Sequence, residues 1–158
     1  MSSYQLDDVD KGIVHLLQKD ARNNTTAEIA EVVDVSASTV GNRIQNMEEE
    51  GVIKGYDPDI NYEKANLTLH LLFVCTAPVA TQTELANEAL DVYGVINVRE
   101  MLSGTRNVRV EAISQNMGEI EKTTQELDGL GLEIETSEVV KQQHTRPFDH
   151  FGSDLIDD

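Results

Sequence analysis

The sequence predicts an α+β chain in two parts, a small helical head with a helix-turn-helix and an antiparallel sheet domain of βαββαβ order. Three observations predict it. Residues 25–56, TTAEIAEVVDVSASTVGNRIQNMEEEGVIKGY, read as two helices around a tight turn, followed by a short strand. Residues 7–20 carry apolar side chains at i, i+4, i+7 and i+8, the stripe of a further helix. Beyond residue 66 the pattern runs strand, helix, strand, strand, helix, strand. A chain of 158 residues accommodates one ordinary domain or two small ones. The divisions read as a head over 1–56, a polar hinge or linker strand over 57–66, a sheet domain over 67–142 and an acidic tail over 143–158.

Helix one is expected from about Asp7 to Asp20. Val9, Ile13, Leu16 and Leu17 form its stripe, and Asp7, Asp8 and Asp10 load the N-terminal pole with the charge that the helix dipole favours. His15 lies beside the stripe as a partly covered surface residue. Thr25 and Glu28 have capping-box spacing, so helix two starts there with Ile29, Ala30 and Val33 on one face. Asp34-Val35 makes the turn and Ser36 caps helix three. Val35 before that cap and Val40 inside the helix fit a hydrophobic staple.

Val40, Ile44 and Met47 are the dry side of helix three. At about 100° per residue, Ser38, Asn42, Gln45 and Asn46 point the other way, with Thr39 and Arg43 on one flank. Such a helix suits a DNA major groove. Asn and Gln bond adenine edges there, Ser and Thr are permissive, and Arg takes guanine or phosphate. A solvated helix in an ordinary bundle is the alternative reading of the same pattern. Arg43 is the only cation of this helix. Gly41 costs about 1 kcal/mol relative to alanine in mid-helix. Glu48-Glu49-Glu50 place like charges at the unfavourable pole.

Residues 52–60 read as a strand with a Tyr56-Asp57-Pro58-Asp59 turn. Residues 67–76 are nearly continuously apolar, as in a strand covered on both faces or at a subunit interface. His70 within them is expected to be a satisfied structural histidine. Pro78 ends the strand, and Thr81 with Glu84 has capping-box spacing. Leu85, Ala89, Leu90 and Tyr93 form the stripe of the next helix, closed by Gly94. Residues 95–102 and 108–113 are two strands joined by Ser103-Gly104-Thr105-Arg106-Asn107, a hairpin signal. Asn116 caps a helix with Glu119 three residues on and Ile120, Leu127 and Leu130 inward. Residues 132–141 are the last strand. This order gives a four-stranded antiparallel sheet with both helices on one face, a ferredoxin-like fold. The uncovered face calls for a second copy in a symmetric dimer.

The net charge of −17 is the odd feature for a DNA binder. Residues 1–56 hold 5 basic against 10 acidic side chains, a balance of −5, and residues 57–158 hold 7 against 19, a balance of −12. One reading is that the chain does not bind DNA. The other is a salt-loving prokaryote, in whose molar interior the Debye length is about 3 Å and repulsion from phosphate is screened. Counterion release gives little affinity there, so groove contacts and shape would carry binding. The longest apolar run, Leu69 to Cys75, is interrupted by His70 and falls short of a membrane span. No secretory signal precedes the head, and the single cysteine, Cys75, reads as a small buried apolar residue. A cytoplasmic protein is expected.

Taken together, Leu6-Asp7-Asp8-Val9-Asp10, Asp20-Ala21-Arg22, Glu28-Ile29-Ala30, Ser36, Thr39-Val40, Arg43-Ile44 and Glu49-Glu50-Gly51-Val52-Ile53-Lys54-Gly55-Tyr56 resemble the Lrp/AsnC family of prokaryotic transcription regulators. The resemblance covers about nine-tenths of the chain. It implies a winged-type helix-turn-helix domain followed by an effector domain, binding to double-stranded DNA, and assembly as a homodimer or as a tetramer or octamer. Arg22 is a phosphate-contact candidate on this ground, beside Ser36, Ser38, Thr39, Asn42, Arg43, Gln45 and Asn46 on the reading helix. In the family an amino acid or other small effector binds near the turn joining the second and third strands, which usually reads Gly-Asp-Tyr-Asp. The aligned residues here are Gly104, Thr105, Arg106 and Asn107, and Ser137 aligns with a family threonine on the last strand. The acidic group that would meet an ammonium is therefore an amide, and Arg106 with Arg109 favours an anionic partner.

A plain hairpin without ligand is the alternative at that turn. Two further readings of the whole chain stand beside the regulator: an architectural protein that wraps DNA without an effector, and a tetrapyrrole decarboxylase-like enzyme. No Ser-His-Asp, Cys-His, Walker or dinucleotide-binding pattern is present, so neither an enzyme nor a cofactor is expected. His144, Asp149 and His150 in the tail could be drawn as a metal site but lack regular spacing. Phe148 and Phe151 are expected to pin the tail to the domain or to a neighbour, with Asp154 to Asp158 mobile.

Overall fold

The computed structural model describes residues 4–148 and 151, and these fall into two compact units, one holding the residues up to 58 with the tail from 144, the other residues 59–143. The first contains α1 (Asp8–Asp20), α2 (Thr26–Val33) and α3 (Ala37–Glu49). Each begins where a side-chain oxygen is available to take up a free backbone N–H. Asp7 caps α1 and forms a reciprocal box with Asp10, Thr25 does the same with Glu28 for α2, and Ser36 accepts the Thr39 N–H for α3. The turn between α2 and α3 depends on Asp34, whose φ of 54° and ψ of 48° put it in the left-handed region while its N–H closes on the Ala30 carbonyl. Aspartate is among the few non-glycine residues that tolerate this conformation.

Ile13, Ile29, Ala30, Val40 and Met47 are the buried centre of this unit, with Val9, Leu17, Val35 and Ile44 packed around them. The expected stripes therefore meet. His15, expected to be partly covered, is instead only 5% exposed. The physical reason is that α1 packs against both α2 and α3, so more than one stripe of it is enclosed.

The strand expected over residues 52–60 is not formed. Val52 and Ile53 both donate to the Met47 carbonyl, closing α3, and Ile53 packs on the head. The chain then runs irregularly to residue 61 and turns at 62–66, ending at Asn66 with φ 65°. A lone extended segment has no ladder partner for its N–H and C=O groups, and without one it does not count as a strand.

The second unit comprises β1 (Leu69–Thr76), α4 (Gln82–Leu90), β2 (Val95–Glu100), β3 (Val108–Ser114), α5 (Met117–Gly129) and β4 (Glu133–Val139). All pairings are antiparallel, in the order β2-β3-β1-β4. Leu71, Phe73 and Cys75 of β1 and Val108, Val110 and Ala112 of β3 form one core with Ala89, Val92, Ile120 and Leu127, so both helices lie on the same face. Cys75 is fully buried, and burial pushes its thiol up to about 11.

Two details of α4 differ from the sequence reading. A 3-10 turn, Val79–Thr81, precedes it, and the Thr81 hydroxyl turns back to the Pro78 carbonyl instead of capping the helix. Leu90 and Tyr93 are exposed, and Ala86 and Val92 take the inward positions, because the helix ends at Leu90 and the chain swings before β2. Gly94 permits that swing. Its φ is 86°, and a Cβ there would stand 2.8 Å from the Ile113 carbonyl oxygen.

Candidate nucleic-acid interface

The outward side of α3 follows from where its dry side must go. Val40 and Met47 are fully buried, which turns Ser38, Asn42, Gln45 and Asn46 to solvent. Their polar atoms are not equally available. The Ser36 hydroxyl lies 3.0 Å from that of Ser38 and 2.8 Å from that of Thr39, so the three form one hydroxyl cluster at the start of the helix. Gln45 donates to Glu49 at 2.9 Å. Asn42 and Asn46, one turn apart, are exposed, and their side-chain amides make no hydrogen bond to another described residue. Arg22 is exposed in the turn after α1.

Arg43 behaves otherwise. Its Nη1 donates to Asp7 Oδ2 at 2.6 Å and lies 3.2 and 3.4 Å from the two Asp10 carboxylate oxygens. The Asp10 side chain is 1% exposed and also accepts from the Tyr4 hydroxyl. The hydrogen bond to Asp7 raises the Arg43 pKa further, and the Asp10 backbone N–H, helped by Arg43, holds Asp7 below the ordinary carboxylate range. Desolvation and the Asp10 charge raise Tyr4. The cation expected to reach DNA is thus tied to the first turn of α1. Sequence reading treated Asp7 and Asp10 as dipole charges and missed this pairing. A signal was there: Asp10 stands at i, i+3 and i+7 with Ile13 and Leu17, on the stripe, and at about 100° per residue Arg43 lies only about 60° from Val40.

At the C-terminal end of α3, Tyr56 donates to Glu48 at 2.8 Å, and burial followed by Glu48 pushes the phenol up to about 12. Glu48, Glu49 and Glu50 are all exposed. This end of the helix repels phosphate.

The second candidate, the turn between β2 and β3, is also divided. Gly104, Thr105 and Arg106 are exposed, and Arg106 has a φ of 51°. The Arg106 N–H donates to Thr76 Oγ1 at 2.7 Å, and that hydroxyl donates to Glu135. Asn107 is different: it is fully buried, its Oδ1 accepting the Ala77 N–H at 2.8 Å and its Nδ2 donating to the Ala77 carbonyl at 2.9 Å. Counted among the effector candidates, it has its amide engaged by backbone on both sides, so a ligand finds no free atom there. Ser137, opposite Phe73 on the edge strand β4, is exposed and on the helix-bearing face.

On the other face, Arg99 stands opposite Arg109 and donates to Glu111 at 3.0 Å. His70 Nε2 is 3.6 Å from Glu111, too far for a hydrogen bond, and with Arg109 Nε it is buried without a hydrogen-bond partner among the described residues. His70 is therefore not the satisfied histidine that its strand position implied. Of the metal grouping in the tail, Asp149 and His150 lie outside the described residues, as does Asp154 to Asp158. Phe148 and Phe151 stack edge to face, with centroids 4.9 Å apart.

Residues 6–54 match a family model described as winged helix-turn-helix DNA-binding. The chain is 42% identical over 64 residues to an uncharacterised HTH-type transcriptional regulator of Pyrococcus abyssi, an alignment covering 40% of this chain and only 43% of that relative's length. Among solved structures, the leucine response regulatory protein of Mycobacterium tuberculosis superposes with a TM-score of 0.78 at 22% identity, covering 92% of this chain and 99% of that one. A transcriptional regulator of Neisseria meningitidis in complex with L-Met gives 0.76 at 20% identity, covering 96% and 100%. The fold is shared with these regulators over nearly the whole chain. No helix among the described residues is long and apolar enough to cross a membrane.

Proposed function

We propose that the chain is a sequence-specific DNA-binding transcription regulator of the Lrp/AsnC type, acting in the cytoplasm as a homodimer or a larger assembly of such dimers. The observation that carries this reading is α3 itself. It follows a left-handed Asp34 turn, sinks Val40 and Met47 into the head and offers Asn42 and Asn46 unpaired to solvent. The 6–54 family match supports the same assignment. Two reading helices held by paired sheet domains would enter successive major grooves.

The helix-free face of the sheet supports the pairing. It carries neither helix, and a sheet face left without a covering layer calls for a second copy. A small effector would bind at Gly104, Thr105 and Arg106, with Ser137 as a further contact and Asn107 holding the turn. The Neisseria relative's complex with L-Met supports an amino acid. Arg106, exposed on this turn, favours contact through the effector's carboxylate. The net charge of −17 supports a salt-loving archaeal source.

Immunoprecipitation of bound DNA across the genome at native salt, with and without amino acids, tests the reading. Discrete bound sites that redistribute with one amino acid are expected. Uniform recovery of DNA under both conditions would discard it.

A further inference from the structure

Resting on the reading of α3 as the DNA-facing helix, we propose that Arg43 is a positioning residue that stays within the head when DNA is bound. Recognition by α3 then falls to the neutral amides of Asn42 and Asn46, on half-sites that present adenine. The arginine bridges two elements, with its own backbone in the middle of α3 and its guanidinium on the first turn of α1, at Asp7 and Asp10. Releasing it to a phosphate would strand the Asp10 carboxylate, 1% exposed, without its cation, and an uncompensated buried charge is strongly destabilising. A phosphate would also compete against two carboxylates already in place. The pair therefore fixes the angle at which α3 leaves the head, and with it the direction of the amides.

What remains on the outward side is uncharged until Glu48. Asn42 and Asn46 are about 6 Å apart along the axis, and each amide matches the N6 and N7 edge of adenine in the major groove. Gln45 already has Glu49 as a partner. A face of this kind contributes nothing to counterion release, so its share of affinity survives in concentrated salt, where phosphate contacts fade.

The test uses the full chain, a duplex that it enriches from a random-sequence DNA pool in multimolar KCl, and a scrambled duplex of the same length. Asp7→Asn is the decisive variant. Asparagine keeps the N-cap of α1 while one of the two carboxylates on Arg43 is lost. Positioning requires Asp7→Asn and Arg43→Ala to lower the ratio of selected to scrambled affinity by about 10-fold, with the slope of log affinity against log salt unchanged. Asn42→Ala and Asn46→Ala should lower the same ratio, and replacing the selected adenines should abolish their effect. The opposite outcome is tighter binding by Asp7→Asn to both duplexes, with a slope reduced by about 0.9 in Arg43→Ala, which makes Arg43 a phosphate contact and overturns the proposal. If Arg43→Ala does not fold, the sign of the Asp7→Asn change decides alone. A wild-type chain that discriminates among no duplexes overturns the regulator reading, and this inference with it.

Discussion

The outward side of α3 and the turn at residues 103–107 both carry asparagines where a binding motif would use them, and they treat them in opposite ways. Asn42 and Asn46 stand on a helix whose own hydrogen bonds are closed by its backbone, so their amides are left over for something else. Asn107 stands where β1 leaves the sheet and β3 enters it. There the Ala77 N–H and C=O have no strand partner and take the amide for themselves. A regular element frees its polar side chains, and an irregular crossing engages them. Arg43 and Arg106 divide the same way but in reverse, the helical one tied to acids and the turn one exposed.

The comparison breaks most sharply at Asn107. Asn107→Ala leaves the Ala77 N–H and C=O buried and unpaired, and should cost about 2–4 kcal/mol in denaturant unfolding of the chain in concentrated KCl. A loss under 1 kcal/mol would show that the turn does not depend on it. Asn42→Ala should leave the unfolding curve within about 0.5 kcal/mol of wild type. It should nevertheless weaken operator binding by about 1–3 kcal/mol, measured by anisotropy. Equal losses in both measurements would erase the contrast between the regions.

A smaller effect sharpens the contrast within the head. Thr25→Ala removes the hydroxyl that accepts the Glu28 N–H and donates to the Glu28 carboxylate, and should cost about 1 kcal/mol. Acid should act on the same features. Asp7, held low first by the Asp10 N–H, and Glu28, held low by the Thr25 N–H, have folded pKa values below their unfolded ones. Their contribution is fully present above about pH 5 and is lost as pH falls below about 4 towards the folded values. A head that melts at the same temperature at pH 5 and pH 3 would contradict this. Smallest of all, Arg106→Ala should leave stability within about 0.5 kcal/mol, because only its backbone N–H is engaged. Its expected effect is confined to the effector response, read as a changed midpoint for amino-acid-dependent release of DNA.

Much of the architecture could be read without coordinates. Capping oxygens at Thr25, Ser36 and Asn116 each sit three residues before the N–H they accept, a local pattern that no distant contact alters. The nearly continuous apolar run of β1 marked a buried strand, without saying that Leu71, Phe73 and Cys75 are the residues that face the helices. The failures occur where a long-range partner, or its lack, decides. Residues 52–60 have strand composition and no neighbour to ladder with. The Thr81–Glu84 spacing failed locally instead, where a 3-10 turn redirects the hydroxyl to the Pro78 carbonyl three residues back. His15 is buried on a helix that packs against two others.

By itself the sequence determined where α1, α2, α3 and α5 start, the turn at Asp34-Val35, the antiparallel pairing of the sheet and the neutral side of α3. All of these follow from interactions within four residues or from a strict periodicity. Only the tertiary structure decided which polar groups remain open to a partner. Arg43 meets Asp7 and Asp10 across more than 30 positions of chain, and Asn107 meets Ala77 across 30. Hydrogen-bonding capacity belongs to a residue type, but its availability belongs to whatever folding brings within about 3 Å of it.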